Sequence, residues 1–197
     1  MRRESHVRFR EGAGVQLPRA TRLVVCCRQA GEQVRTVVTE QLQGLGLALN
    51  ATKTRTLDAR HQAFTFLGFT VRLARSRRTG GWFPLARPSA SACQRLRDKV
   101  KALTSRDRAS LPTPVVIAEV NRVVQGWAGY FHFKNCTRAF GSLQEYVAQR
   151  VRIYLRRKHR RRGQGYRAFP NAYLYGTVGL YHLPTRAPWT APAHASR

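Results

Sequence analysis

"VVIAEVNRVVQGWAGYFHFKN" (residues 115–135) sets apolar residues on a helical period and then breaks its own rule. Val116, Val120, Val123, Trp127 and Phe131 fall on one face, which predicts an amphipathic helix with that face buried. Gly126 and Gly129 flank the tryptophan, and each costs a helix about 1 kcal/mol relative to alanine. Small residues beside a large ring predict a close approach of a neighbouring helix or strand. Tyr130, His132 and Lys134 fall off the apolar face and are expected at the surface.

The same period continues on both sides. Upstream, Cys93, Leu96, Val100 and Leu103 follow an i, i+3, i+7, i+10 pattern, with Arg95, Arg97, Lys99 and Lys101 between them. Ser89 after Pro88 is a suitable N-cap for that helix. Downstream, Phe140, Leu143, Val147, Val151 and Tyr154 line a third helix, which runs into "RRKHRRRGQG" (156–165). Three basic amphipathic helices make a bundle, with "AFPNAYLYGTVGLYHLP" (168–184) as an irregular aromatic tail.

Before residue 88 the periods differ. "RLVVCC" (22–27) reads as a short strand, and "AGEQVRTVVTEQLQGLG" (30–46) as a helix with Val34, Val37, Val38, Leu42 and Leu45 at helical spacing. Gly44 and Gly46 stand where it would stop. "LALN" and "ATKTRTLDA" (47–59) read as extended. "FTFLGFTVRL" (64–73) is rich in β-branched and aromatic residues, "RTGG" (78–81) is a turn, and "WFPLA" (82–86) returns as a second strand. Pro84 puts that strand at a sheet edge. The expected plan is therefore α+β: a small β-α-β-β unit, then the three-helix bundle. Residues 1–22 form an irregular basic N-terminus, 23–87 the β-rich part, 88–183 the helical domain and 184–197 a disordered tail.

Charge narrows the function. The chain has 197 residues, 36 Lys and Arg against 9 Asp and Glu, and a formal net charge of +27. Such a charge opposes folding by self-repulsion, so a polyanion is the expected partner, and nucleic acid is the obvious one. Hydrophobic residues make up 43%, enough to build a core, so this is no disordered polycation. No apolar run is long enough to span a bilayer, and no membrane partner is expected. The N-terminus lacks the apolar segment of a signal peptide, and Glu4 and Glu11 argue against an organellar leader, so a bacterial cytoplasmic location is expected. Cys26, Cys27, Cys93 and Cys136 show no CxxC spacing and read as idle thiols. His61, His132, His159 and His182 are scattered, and no metal site is expected.

The motifs add a resemblance. "RPSASACQRLRDKVKAL" (87–103), the long segment from Val116 to Gly163, and "PNAYLYGTVGLYHL" (170–183) resemble the maturase-specific domain of bacterial group II intron-encoded proteins, also called domain X or the thumb. The GWxxYF element, the following helix and the RRKHRRRG run carry that likeness. "GLGLALNATKTRTL" (44–57) resembles the end of the palm in these reverse transcriptases, and "FTFLGFTVR" (64–72) their primer-grip region. The resemblance implies that the β-rich part is a palm remnant and that the bundle is thumb-like. It also implies a role in RNA splicing, with group II intron RNA as partner.

One departure limits what the resemblance implies. In the family a Tyr-Ala-Asp-Asp motif precedes the strand matched by "LVVCC". Here those positions read Arg19, Ala20, Thr21 and Arg22. Two-metal nucleotidyl transfer needs carboxylates to hold the ions, and arginine repels Mg²⁺. Asp58 is the only acid between Glu40 and Asp98, so no substitute cluster lies nearby. The fingers and the first half of the palm are not in the sequence, no HNH-like endonuclease follows "GLYHLP", and the expectation is a fragment with no catalytic residue. No cofactor is expected; Mg²⁺ belongs only to a complete reverse-transcriptase assembly.

The residues expected to contact RNA follow from charge and resemblance. They are Lys53 and Arg55 in the palm-like segment, Arg95 and Lys99 on the first bundle helix, then Lys134, Arg138 and Arg152. The terminal run adds Arg156, Arg157, Lys158, Arg160, Arg161 and Arg162, with Arg167 after it. Trp127, Phe131, Phe140, Leu143, Val147 and Tyr154 are expected in the core. The expected function is that of a maturase-type RNA-binding protein. The alternatives are a C-terminal reverse-transcriptase piece that needs a separate fingers and palm chain, a general basic nucleic-acid binder, or a remnant without function. A homodimer is left open.

Overall fold

The computed structural model describes residues 24–27, 31–133, 135–163 and 165–184. It divides into two compact units, Met1–Thr56 and Leu57–Arg197. The expected N-terminal segment 1–22 and residues 185–197 of the expected tail lie outside the described residues.

In the first unit one helix, α1 (Gly31–Gly44), ends where the glycines predict. Gly46 then takes a φ of +71°, a left-handed conformation that glycine adopts without cost. Residues 24–27 form no strand, so the β-α-β order expected here is not present among the described residues. Residues 47–56 are turn and coil instead, organised by Asn50, whose Oδ1 accepts from the backbone N–H of Thr52 and of Lys53.

The second unit opens with a three-stranded antiparallel meander: β1 (Phe64–Phe66), β2 (Phe69–Arg75) and β3 (Trp82–Pro88), in the order β1-β2-β3. "FTFLGFTVRL" is thus a hairpin and not one strand. Phe66 pairs with Phe69, leaving Leu67 and Gly68 as a two-residue loop with φ of +48° and +80°. Positive φ at both positions is the geometry of the tight turns that match strand twist. Pro84 sits on the edge strand β3 opposite Leu73, where its missing N–H breaks no ladder.

Three helices follow: α2 (Ala90–Leu103), α3 (Thr113–Phe131) and α4 (Thr137–Lys158). Ser89 caps α2 by accepting from the Ala92 N–H at 3.2 Å. The core takes Ala92, Cys93, Leu96 and Val100 from α2 and Phe140, Leu143, Val147, Val151 and Tyr154 from α4. On α3 the buried face is Val116, Ile117, Val120, Val124, Ala128 and Phe131, rotated from the face that the sequence suggests. Trp127 therefore lies at the edge of the core, half-buried, with its Nε1 donating to the Ala92 carbonyl at 3.3 Å. Gly126 and Gly129 are exposed, and an added Cβ on either would meet nothing within 4 Å. The close approach expected there does not occur, and nothing in the structure explains these two glycines.

The close approach occurs at Gly68 instead. A Cβ there would come within 3.0 Å of Phe131 Cζ. Phe69 beside it meets Phe131 at 5.0 Å between ring centroids, and the Tyr130 hydroxyl donates to the Leu67 carbonyl at 2.9 Å. These contacts seat the hairpin on the end of α3.

The aromatic tail is core rather than appendage. Phe169, Leu174, Leu180 and Leu183 are buried against the helices. Asn121 holds the tail from both sides of its amide, donating to the Gly179 carbonyl and accepting from the Tyr181 N–H, each at 2.8 Å. Burying a leucine contributes about 1.5–3 kcal/mol, so this segment is integral to the domain.

Candidate nucleic-acid interface

With the apolar stripes of α2, α3 and α4 turned inward, most of their basic side chains face solvent. Arg95 and Lys99, one turn apart on α2, are exposed. So are Arg138 in the first turn of α4, Arg157 in its last turn, and Arg160, Arg161, Arg162 and Arg167 beyond it. In the first unit Lys53 and Arg55 are exposed as well. Lys134 lies outside the described residues.

The terminal run is shaped by the way α4 stops. Arg160 takes a φ of +50°. The Arg161 N–H bonds the Arg156 carbonyl at 2.9 Å and the Arg160 N–H the Arg157 carbonyl at 3.2 Å. This is the Schellman pattern, with arginine where glycine is usual. The chain reverses here, and Arg161 and Arg167 come to line one cleft of about 650 Å³ with His159, Phe169 and Tyr173. Three adjacent guanidinium groups at a helix C-terminus, beside a cleft with aromatic walls, suit phosphates and unpaired bases.

Not every expected contact residue is available. Arg152 is a correction: only 5% of it is exposed. Its Nε donates to the Phe169 carbonyl at 3.0 Å, its Nη2 to Asn171 Oδ1, and its guanidinium lies 4.6 Å from the ring centroid of Tyr166. A charge so enclosed organises the protein, because leaving its hydrogen bonds unmade would be costly. Lys158 is half-buried, and its Nζ donates to the carbonyls of Ala109 and Leu111 at 3.1 and 2.6 Å. Arg156 donates to the Gly163 carbonyl at 2.6 Å, closing the loop that carries Arg160–Arg162. Both hold the interface in shape.

Charge counting missed Arg150, which sits on the inner side of α4 and donates to Thr104 Oγ1 at 3.1 Å and to the Thr104 carbonyl at 3.2 Å. It also missed Tyr166, 53% exposed and stacked on Arg152. The only signal for Tyr166 was an aromatic between glycine and arginine in "GQGYR" (163–167), which reads equally as a turn.

Carboxylates are sparse. Arg108 and Glu119 form an ion pair at 2.6 Å, one-quarter to one-third exposed. Asp107 has its carboxyl pulled below the usual range, first by the Ser105 hydroxyl and then by its own backbone N–H. Among the described residues no group of three or more His, Cys, Asp or Glu could hold a metal ion, and no helix is long and apolar enough to cross a membrane.

Residues 93–171 match the family described as "Group II intron, maturase-specific domain". Over that stretch the chain is similar to a maturase-specific domain. The matched residues run from the first turns of α2 through α3 and α4 to Asn171, the residue that holds Arg152. Most of α2, all of α3 and α4, and the loop 159–167 lie within the matched stretch. No curated protein matches the chain.

Proposed function

We propose that the chain binds group II intron RNA through the solvent face of its maturase-specific domain and favours the splicing-competent shape of that RNA. The observation that carries this reading is the matched family together with the separation of charge, apolar stripes inward and exposed arginines outward. RNA contact centres on Arg157, Arg160, Arg161, Arg162 and Arg167, with Arg95, Lys99 and Arg138 extending the surface. The intron RNA supplies the splicing chemistry, and the protein contributes binding energy and no reacting group. Mg²⁺ as a polymerase cofactor does not fit this chain. Thr21 and Arg22, which lie outside the described residues, stand where the family has its aspartates, and neither supplies the carboxylate that a two-metal site needs.

The test compares affinities for a folded group II intron transcript, an unrelated structured RNA of equal length and duplex DNA at one salt concentration. Tighter binding to the intron, with faster splicing at Mg²⁺ concentrations where the RNA alone stalls, is expected. Equal binding to all three would leave only a general basic nucleic-acid binder.

A second reading, a reverse-transcriptase piece completed by a separate chain, has one observation in its favour. Within the first unit α1 carries Val34, Val37, Val38 and Leu42 at helical spacing, yet none of its residues is fully buried. Primer extension by a mixture with a chain carrying the missing aspartates, and by neither part alone, would establish it.

A further inference from the structure

The domain holds a second cleft, of about 510 Å³, between α4 and the segment 166–182. Its chemistry is unlike the basic run. Its walls include Glu145 and Arg152 from α4 and Tyr166, Tyr175 and His182 from the returning segment. We propose that this cleft takes one unpaired guanine base of the bound RNA. This rests on the RNA-binding reading above and adds a base-specific site to it.

Glu145 is the first reason. It is exposed, lines the cleft, and makes no ion pair among the described residues, in a chain with a fourfold excess of cations. A carboxylate repels the phosphate backbone, so whatever enters beside it presents hydrogen-bond donors. Two neighbouring polar groups are tied into the fold. Gln144 donates to the Tyr175 hydroxyl and accepts from the Leu183 N–H at 2.6 Å. His182 Nδ1 donates to the Leu183 carbonyl at 3.0 Å. Glu145 is therefore the open carboxylate acceptor of the cleft, beside the Tyr175 hydroxyl proton that Gln144 leaves free.

Tyr166 is the second reason. Its inner face rests on the Arg152 guanidinium, and that guanidinium is pinned by Phe169 and Asn171. An exposed ring fixed from behind is a stacking platform that loses little freedom when a base settles on it.

The acceptor pattern selects the base. Guanine offers two adjacent donors on its Watson–Crick edge, N1–H and the N2 amino group, which match the two oxygens of one carboxylate. Adenine and cytosine place a ring-nitrogen acceptor beside their single amino group, and uracil flanks its one N–H with carbonyls. Each of these sets an acceptor against the carboxylate.

The experiment uses the full chain and labelled hexauridine carrying guanosine, inosine or no substitution at its fourth position, read by fluorescence anisotropy. The guanosine oligomer should bind roughly tenfold tighter than hexauridine, and inosine, which lacks the N2 amino group, should lose most of that gain. Glu145→Gln should cut the guanosine preference to about twofold or less and leave hexauridine affinity no weaker. Tyr166→Ala should weaken binding of every oligomer. A chain that binds intron RNA without any guanosine preference, or a Glu145→Gln variant that keeps it, overturns the cleft proposal alone. A chain that binds neither oligomers nor intron RNA overturns both readings. The inosine comparison needs no variant, so a folding defect cannot obscure the result.

Discussion

Arg150 of α4 closes the C-terminal end of α2 through Thr104. Its Nε and Nη2 reach the Thr104 side chain and carbonyl, and Nη2 also reaches the Lys101 carbonyl at 3.3 Å. Thr104 is fully buried, and its hydroxyl donates back to the Val100 carbonyl at 2.7 Å. A cation thus sits on helix-end carbonyls, where the helix dipole favours it. Arg150→Met keeps much of the stem and removes the donors. It should destabilise the domain by about 2 kcal/mol, since hydrogen bonds to charged groups contribute about 1.5–3 kcal/mol each and these are partly screened. Chemical unfolding measures the loss. The salt dependence of RNA affinity should stay as in the parent.

Arg160 is expected to cost stability where it stands. A left-handed φ costs a non-glycine residue about 1 kcal/mol, and the Schellman pattern needs only backbone. Arg160→Gly should therefore stabilise the fold by about 1 kcal/mol, while lowering RNA affinity by the loss of one phosphate contact. An unfolding midpoint below that of the parent would show that the Arg160 side chain contributes to the fold.

The triple change of Arg160, Arg161 and Arg162 to Gln tests the interface itself. All three side chains are exposed, and the bonds that end α4 run through the backbone, so helical content should hold. The slope of log affinity against log salt should flatten by about two units if each arginine meets a single-stranded phosphate. The loss should be similar across RNA sequences, because phosphate contacts do not read bases. An unchanged slope would place RNA on another face.

Trp127 is a seam residue, and its substitutions should reflect that. Its ring centroid lies 4.5 Å from that of Phe131 and 5.4 Å from that of Phe140. Trp127→Ala should destabilise by about 2–3 kcal/mol, below the range for fully buried rings. Trp127→Phe, which keeps a ring and loses the bond to Ala92, should lose about 1 kcal/mol. Thermal unfolding of both variants distinguishes this from a base-stacking role, which would leave stability unchanged and weaken RNA binding.

The four thiols should separate by reactivity. Burial pushes the thiols of Cys93 and Cys136 up, with Arg97 opposing it at Cys93 and backbone hydrogen bonds at both. Cys26 and Cys27 are exposed. Iodoacetamide on the native protein should modify Cys26 and Cys27 and spare the other two until denaturant is added, as read by peptide mass. With the folded pKa raised, the neutral thiols stabilise the fold below the ordinary thiol pKa, and that contribution falls as pH rises through the folded values. Alkaline unfolding should therefore come earlier than for a Cys93→Ala, Cys136→Ala chain of otherwise similar stability.

Periodicity by itself determined the bundle. The stripes Cys93–Leu96–Val100 and Phe140–Leu143–Val147–Val151–Tyr154 have one burial solution, because a helix with one apolar face must turn that face inward. Charge pointed to a polyanion for an equally simple reason, since 36 basic residues against 9 acids cannot neutralise one another. Local signals also placed the Ser89 cap, the end of α1 and the Pro84 edge. What the sequence left open was set by contacts between residues far apart along the chain. The buried face of α3 takes Ile117, Val124 and Ala128 where the period offers Val123 and Trp127, and the hairpin sets Gly68 and Phe69 against Phe131, a contact that no period encodes. Residues 168–183 look irregular along the chain, yet Asn121 and Gln144 hold them in the core. Among the basic residues, type and spacing do not distinguish Arg152 from Arg157. Tertiary structure does, by putting the Phe169 carbonyl, Asn171 and Tyr166 around one guanidinium and solvent around the other.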